Sequence, residues 1–135
     1  MGLAEKRAVK EFQDNHLEPA KKALNDAAGF EVPLEVDWDA IAIPEYSHMY
    51  EECFKKVFFN TVEEAFKDIC KDEMGKEALK SGLKQVAFKN SNKFSNYNGI
   101  TFENGVLTVD HKTATNIDDI NDRSRHLVKL LEQKL

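Results

Sequence analysis

Histidine and carboxylate side chains occur at helical spacing in PEYSHMYEE, residues 44–52. Glu45 and His48 are three residues apart, and His48 and Glu52 are four apart, so each pair would share one helix face and could hold a cation. Bundles that hold two metal ions need this Glu-x-x-His pattern twice, with two further glutamates, and the chain contains it once. We therefore expect neither a metal nor another cofactor, and we interpret His48 as a histidine at the protein surface.

A row of carboxylates is the second candidate site. In GFEVPLEVDWDA, residues 29–40, apolar residues alternate with four acids, which are Glu31, Glu35, Asp37 and Asp39. Strict alternation predicts a half-buried strand over residues 30–38, with acids about 7 Å apart on its exposed side. Pro33 cannot donate to a strand ladder, so this strand should lie at the sheet edge. Carboxylates there would be solvated and hinder edge-to-edge pairing, or they would bind a basic partner.

The chain carries no motif for nucleophilic catalysis or phosphate binding. Ser47 precedes His48 and Asp110 precedes His111, but sequence neighbours rarely face each other, and no Gly-x-Ser-x-Gly is present. The six glycines are scattered and form no phosphate loop. The polar segment at residues 90–99 combines a lysine with two aromatic residues, but its asparagines are typical of turns.

Charge is distributed unevenly over a chain of net charge −5. Residues 30–52 carry seven acids and neither lysine nor arginine, whereas residues 53–93 carry nine lysines. The negative total argues against nucleic-acid binding, which requires clustered basic residues. No apolar run approaches the roughly 18 residues of a membrane span, and the charged N-terminus does not resemble a signal peptide. Cys53 and Cys70 should be buried thiols of a reducing compartment, so we expect a cytoplasmic protein without a membrane partner.

The helical elements follow from periodicity and from residues that end helices. A first helix is predicted over residues 3–28, with a break before Pro19 and an end at Gly29. Further helices are predicted at 45–59, 62–73 and 76–81. One break falls at Asn60–Thr61, because Thr61 and Glu64 have the spacing of a capping box, and another falls at Gly75. A last helix should begin near Thr115 or Asn116.

The strands are predicted from alternation and from one turn. A short strand is expected over residues 83–89, and the Asn104-Gly105 turn predicts a two-residue hairpin. That turn pairs Glu103 with Val106 and Phe102 with Leu107, and it continues to Thr101 with Thr108 and Ile100 with Val109. The element order predicts a single α+β domain over residues 1–135, a two-layer sandwich in which a mixed sheet of about four strands has helices packed on one face.

Function is predicted less directly than fold. We expect a non-catalytic binding domain that engages another protein chain or its own copy, as a homo-oligomer in the second case, through the acidic edge strand and the open sheet face. The expected contact residues are Glu31, Glu35, Asp37, Asp39 and Phe59. Phe59 is included because it interrupts the apolar stripe of its helix and should be exposed. The alternative is a small-molecule-binding protein or small enzyme with an aromatic pocket between helices and sheet, lined by Trp38, Tyr46 and Tyr50.

Overall fold

The computed structural model describes residues 1–135 and contains one four-stranded mixed sheet in the order β1-β2-β4-β3. The strands are β1 (Leu34–Val36), β2 (Gln85–Lys89), β3 (Ile100–Glu103) and β4 (Val106–Asp110). β1, β2 and β4 run parallel, and β3 pairs with β4 in the antiparallel direction. The predicted α+β fold with a four-stranded mixed sheet is confirmed.

Seven α-helices accompany the sheet. They are α1 (Leu3–Asn15), α2 (Leu17–Ala28), α3 (Trp38–Ile41), α4 (Tyr50–Cys53), α5 (Asn60–Ile69), α6 (Glu73–Gly82) and α7 (Ile120–Lys134). A π-helical segment, Phe54–Phe59, joins α4 to α5. None of the helices is long and apolar enough to cross a membrane.

One face of the sheet forms a wall of the core. Val86 and Phe88 of β2, Leu107 and Val109 of β4, and Ile100 and Phe102 of β3 are all buried. Their sequence neighbours on the opposite face are mostly half-buried or exposed. The hairpin has the predicted register, from Ile100 opposite Val109 to Glu103 opposite Val106. Its turn and its alternation are both local, so nothing distant competes with them.

The N-terminal helices break where the sequence predicts. α1 ends at Asn15 and α2 begins at Leu17, which places Pro19 in the first turn of α2, where its missing N–H costs no hydrogen bond. Gly29 ends α2 in the left-handed region at φ 83°, and its N–H donates to the carbonyl of Asn25.

β1 is much shorter than the predicted strand over residues 30–38. The carboxylate of Asp37 accepts a hydrogen bond from the N–H of Ala40 and caps α3, so the chain turns into a helix at Trp38. The alternation of apolar and acidic residues continues through this turn, although the residues there are no longer in a strand. The prediction of a strand as far as Trp38 is therefore wrong.

The predicted break at Asn60–Thr61 is also wrong, because the chain stays helical from Tyr50 to Ile69. The Thr61 hydroxyl donates to the carbonyl of Lys56 at 3.0 Å, across the π-helical segment, instead of capping a new helix. A π-helical turn contains an additional residue, so Phe58 and Phe59 both point into the core and are buried. The expectation that Phe59 is exposed and available to a partner is overturned.

A buried arginine stabilises this segment against α7. Arg123 is fully buried, and its Nε donates to the Thr61 hydroxyl at 3.0 Å. Its two terminal nitrogens donate to the carbonyls of Asn116, Ile117 and Lys56. All the hydrogen-bond acceptors are neutral, and burial lowers the pKa of the guanidinium from its ordinary value.

The break between α5 and α6 precedes Gly75 instead of falling at it. Asp72 caps α6 by accepting a hydrogen bond from the Gly75 N–H at 2.8 Å. A Cβ atom at position 75 would lie 1.7 Å from the carbonyl oxygen of Ile69, so the close approach of the two helices requires glycine. The last helix begins at Ile120, later than predicted, after a turn in which Asn116 has a positive φ.

Candidate functional site

β1 lies at one end of the strand order and pairs with β2 alone. The Val86 N–H donates to the Pro33 carbonyl at 2.9 Å, and the Asp37 N–H donates to the Phe88 carbonyl at 3.0 Å. In a parallel ladder with this register, alternate residues of β1 bond to β2, and the others point away from it. The N–H and C=O groups of Leu34 and Val36 therefore point outward from the sheet edge.

The segment that leads into β1 is anchored to α2. The Asn25 side chain accepts a hydrogen bond from the Val32 N–H at 2.8 Å, and Val32 is buried. A small open groove of about 280 Å³ lies beside this segment, lined by Lys21, Asn25, Glu31, Val32, Pro33 and Leu34. The edge is thus anchored on both sides of β1, by Asn25 before it and by the Asp37 cap after it, and a groove adjoins its N-terminal end.

The four acids predicted to form a row do not lie on one strand face. Only Glu35 belongs to β1, where it is exposed on the open side of the sheet and accepts a hydrogen bond from the Gln85 side chain at 2.7 Å. Glu31 precedes the strand, Asp37 caps α3, and Asp39 lies in the first turn of α3. All four are exposed, so this end of the sheet is acidic, although its geometry is not the predicted one.

The open face of the sheet presents small side chains. Glu35, Ala87, Thr108 and Thr101 form one row across the four strands, as their registers require. Ala87 and Thr108 are half-buried and Thr101 is exposed. The face therefore has a flat centre, with Glu35 at the β1 end of the row.

The three aromatic residues predicted to line a pocket lie in different environments. Tyr46 is exposed, and Trp38 is half-buried against Phe12 and Phe54. Tyr50 is buried, stacks on Phe54 with ring centroids 4.8 Å apart, and donates its hydroxyl to the Ile43 carbonyl. Burial raises the pKa of Tyr50 to about 12, so its hydroxyl remains protonated. Trp38 and Tyr50 thus serve core packing, and none of the three residues lines any of five surface grooves of about 280 to 950 Å³.

Two larger grooves, which the sequence does not indicate, lie on either side of Phe30. One of about 950 Å³ runs along α2, and one of about 780 Å³ lies between α2, α5 and α6. Three lysines line the second, Lys67, Lys76 and Lys80. Lys67 and Lys76 already form ion pairs with glutamates of their own helices. The groove therefore offers little uncompensated positive charge to a ligand.

Burial shifts the pKa values of one histidine and of both cysteines. His111 is fully buried, its Nδ1 donates to the Lys112 carbonyl, and its Nε2 has no hydrogen-bond partner. Burial and nearby Arg123 lower the pKa of this imidazole. Burial raises the pKa of both free thiols, Cys53 and Cys70, which makes them weak nucleophiles. No group of three or more histidine, cysteine or acidic residues could hold a metal ion.

The sequence pattern predicts that Glu35 is exposed on a strand, but it does not predict the outward backbone groups beside it. The outward N–H and C=O of Leu34 and Val36 depend on which strand neighbours β1 and in which direction, and the strand order was not predicted. Gln85, which holds the Glu35 carboxylate, lies fifty residues away and reaches it through the same pairing. Comparisons with known protein families, curated proteins and solved structures find no match for this chain.

Proposed function

We propose that this protein is a non-catalytic binding domain whose partner is another protein chain, bound at the β1 edge and the adjoining open face of the sheet. One observation carries the proposal: β1 ends the sheet with outward backbone groups at Leu34 and Val36, and four exposed acids surround it. Free strand edges are usually covered or blunted because they pair with other chains. Here the edge is anchored on both sides, and four exposed acids lie in or beside it.

The acidic surroundings favour a basic partner. Complementary charge increases the rate at which partners meet and discriminates against partners of the wrong sign. Residues 30–52, which contain β1 and α3, include seven acids and no lysine or arginine. The two free thiols support a cytoplasmic, reducing location as part of this proposal.

Selection from a displayed library of random peptides tests the proposal. The immobilised protein should enrich a set of peptides, and the same protein added in solution should compete for them. The substitution Glu35→Arg should weaken the binding of these peptides about tenfold or more. Thr101→Arg tests the open face in the same way. The matched control is Glu77→Arg, an exposed position on α6 remote in sequence from both surfaces. The absence of enriched peptides, or binding insensitive to changes at both surfaces, would refute the proposal.

A further inference from the structure

We propose that the partner adds to the sheet as an extended strand beside β1, with a basic side chain opposite Glu35, and that the same geometry disfavours a second copy of this chain. The inference rests on the proposed function and specifies the partner's conformation and charge. Strand addition uses main-chain hydrogen bonds for affinity and alternate side chains for specificity.

The outward backbone groups of β1 are arranged to bind an added strand. Two outward N–H groups and two outward C=O groups, from Leu34 and Val36, could bind one extended segment. The Asn25 and Asp37 hydrogen bonds already hold the chain on both sides of β1. A preorganised edge loses little conformational entropy when a strand is added.

The charge of Glu35 determines which side chain the partner should place opposite it. The side chain opposite Glu35 in an added strand would lie on the open face, about 5 Å away between Cβ atoms. Opposite charges at such cross-strand positions stabilise pairing, and like charges destabilise it. The Glu35 side chain accepts its hydrogen bond from the neutral Gln85 amide and not from a basic residue of this chain. A lysine or arginine in the partner is the complementary residue.

Pairing with a second copy would place carboxylates at opposing cross-strand positions. An antiparallel pair with Leu34 opposite Val36 of the second copy would place Glu35 directly opposite Glu35. A register with Val36 opposite Val36 would place Glu35 opposite Asp37. Both arrangements bring carboxylates together across a narrow gap at the sheet edge. The expected homo-oligomer is therefore disfavoured at this edge, and a basic segment of another chain is favoured.

Proline substitution separates strand addition from other modes of binding. The Val36 N–H points away from β2, so Val36→Pro removes an outward donor without removing a hydrogen bond of the sheet. Binding of library-selected peptides should fall about tenfold, as expected for loss of one main-chain hydrogen bond. Val36→Ala is the matched control, because it shortens the side chain and keeps the donor. Equal thermal melting of both variants would show that the fold is retained.

Amide hydrogen exchange gives an independent readout. In the free protein the Leu34 and Val36 amides should exchange quickly, whereas the Glu35 amide is protected by β2. A selected peptide should protect Leu34 and Val36, and its sequence should be rich in lysine or arginine at alternate positions and poor in proline. Added salt should weaken its binding.

Three outcomes would overturn the inference. Peptides whose binding depends on Thr101 but not on the Val36 N–H would dock on the open face, leaving the proposed function intact. Acidic or helical peptides would contradict the predicted partner chemistry. A concentration-dependent dimer by sedimentation, with protection of Leu34 and Val36, would show that the edge accepts a second copy. Failure of every peptide at both surfaces would instead refute the proposed function itself.

Discussion

The two edge strands of this sheet differ in how deeply their core-facing side chains are buried. At the β3 edge, Ile100 and Phe102 are buried, α7 packs against the strand, and Lys134 near the end of α7 forms an ion pair with Glu103. At the β1 edge, Leu34 and Val36 are only half-buried, and Glu35 is exposed. The side chains of β3 that face the helices are therefore part of the core, whereas those of β1 lie at its margin.

The difference indicates how the free energy of folding is distributed. The β3 side is stabilised by apolar burial and by α7, which Arg123 connects to the π-helical segment. The β1 side is positioned by a few hydrogen bonds, including those of Asn25 and Asp37. A change on the β3 side should therefore affect stability, whereas a change on the outer side of β1 should affect binding with little effect on stability.

The largest effect is expected for Arg123→Ala. The substitution removes the buried donor to the Thr61 hydroxyl and to three carbonyls, of which those of Lys56 and Asn116 keep another donor, at a cost of about 4 kcal/mol in the free energy of unfolding. Arg125→Ala on the same helix removes an exposed guanidinium that pairs with Asp122, and it should change stability by less than about 0.5 kcal/mol. Denaturant unfolding of both variants measures the contrast. Similar losses in the two would refute the role assigned to Arg123.

Matched truncations at the two edges test the comparison directly. Phe102→Ala at the β3 edge removes a buried ring and should cost about 3 kcal/mol. Leu34→Ala at the β1 edge removes a half-buried side chain and should cost about 1 kcal/mol. Chemical denaturation of the two variants gives both values. If Leu34→Ala were as costly as Phe102→Ala, the β1 edge would have to be regarded as part of the core.

Adjacent prolines in β1 distinguish the inner from the outer side of one strand. Glu35→Pro removes a hydrogen bond to β2 and should destabilise the protein by about 2 kcal/mol. Val36→Pro removes only an outward donor and should cost less than about 1 kcal/mol. Thermal unfolding of the pair checks the register of β1. The reverse ranking would place the outward groups on the wrong residues.

The smallest expected effect is the pH dependence of stability that comes from His111, the buried residue that follows β4. Its pKa is lowered in the native state by burial, so the unfolded chain takes up a proton near its usual pKa of about 6.5 while the folded protein does not. Stability should be fully retained above that pH and should fall as the pH decreases below it, by at most about 1.4 kcal/mol per pH unit. His111→Asn should remove this component of the pH dependence in denaturant titrations, whereas His48→Asn, at an exposed position, should retain it.

Local signals predict much of the fold, and the errors come from distant contacts and from residues whose local pattern fits two kinds of element. The hairpin register follows from one turn and its flanking alternation, and the break before Pro19 follows from a missing N–H. The π-helical segment is bonded to Arg123, which lies sixty-two residues after Thr61 and uses the hydroxyl that the capping-box pattern assigns to a helix start. β1 was overextended because Asp37 and Asp39 fit both an alternating strand and the start of a helix.

The same reasoning applies to the candidate site. Glu35 was recognised because alternation marks the exposed side of a strand without knowledge of its neighbours. The outward direction of the Leu34 and Val36 backbone groups needs the pairing partner of β1, which single-sequence patterns do not specify. An α-helical period places Phe59 at the surface, whereas the π-helical geometry of residues 54–59 turns its side chain into the core.

The π-helical segment predicts a difference in length between this chain and any homologue that has a regular α-helix at the same place. Inserting one residue into a regular α-helix, while the turns on both sides stay in place, produces one wide turn of this kind. A homologous chain with an uninterrupted α-helix at this point should therefore be one residue shorter between Cys53 and Asn60. Its buried arginine should then be missing or bonded elsewhere, because the wide turn that receives Arg123 would not exist.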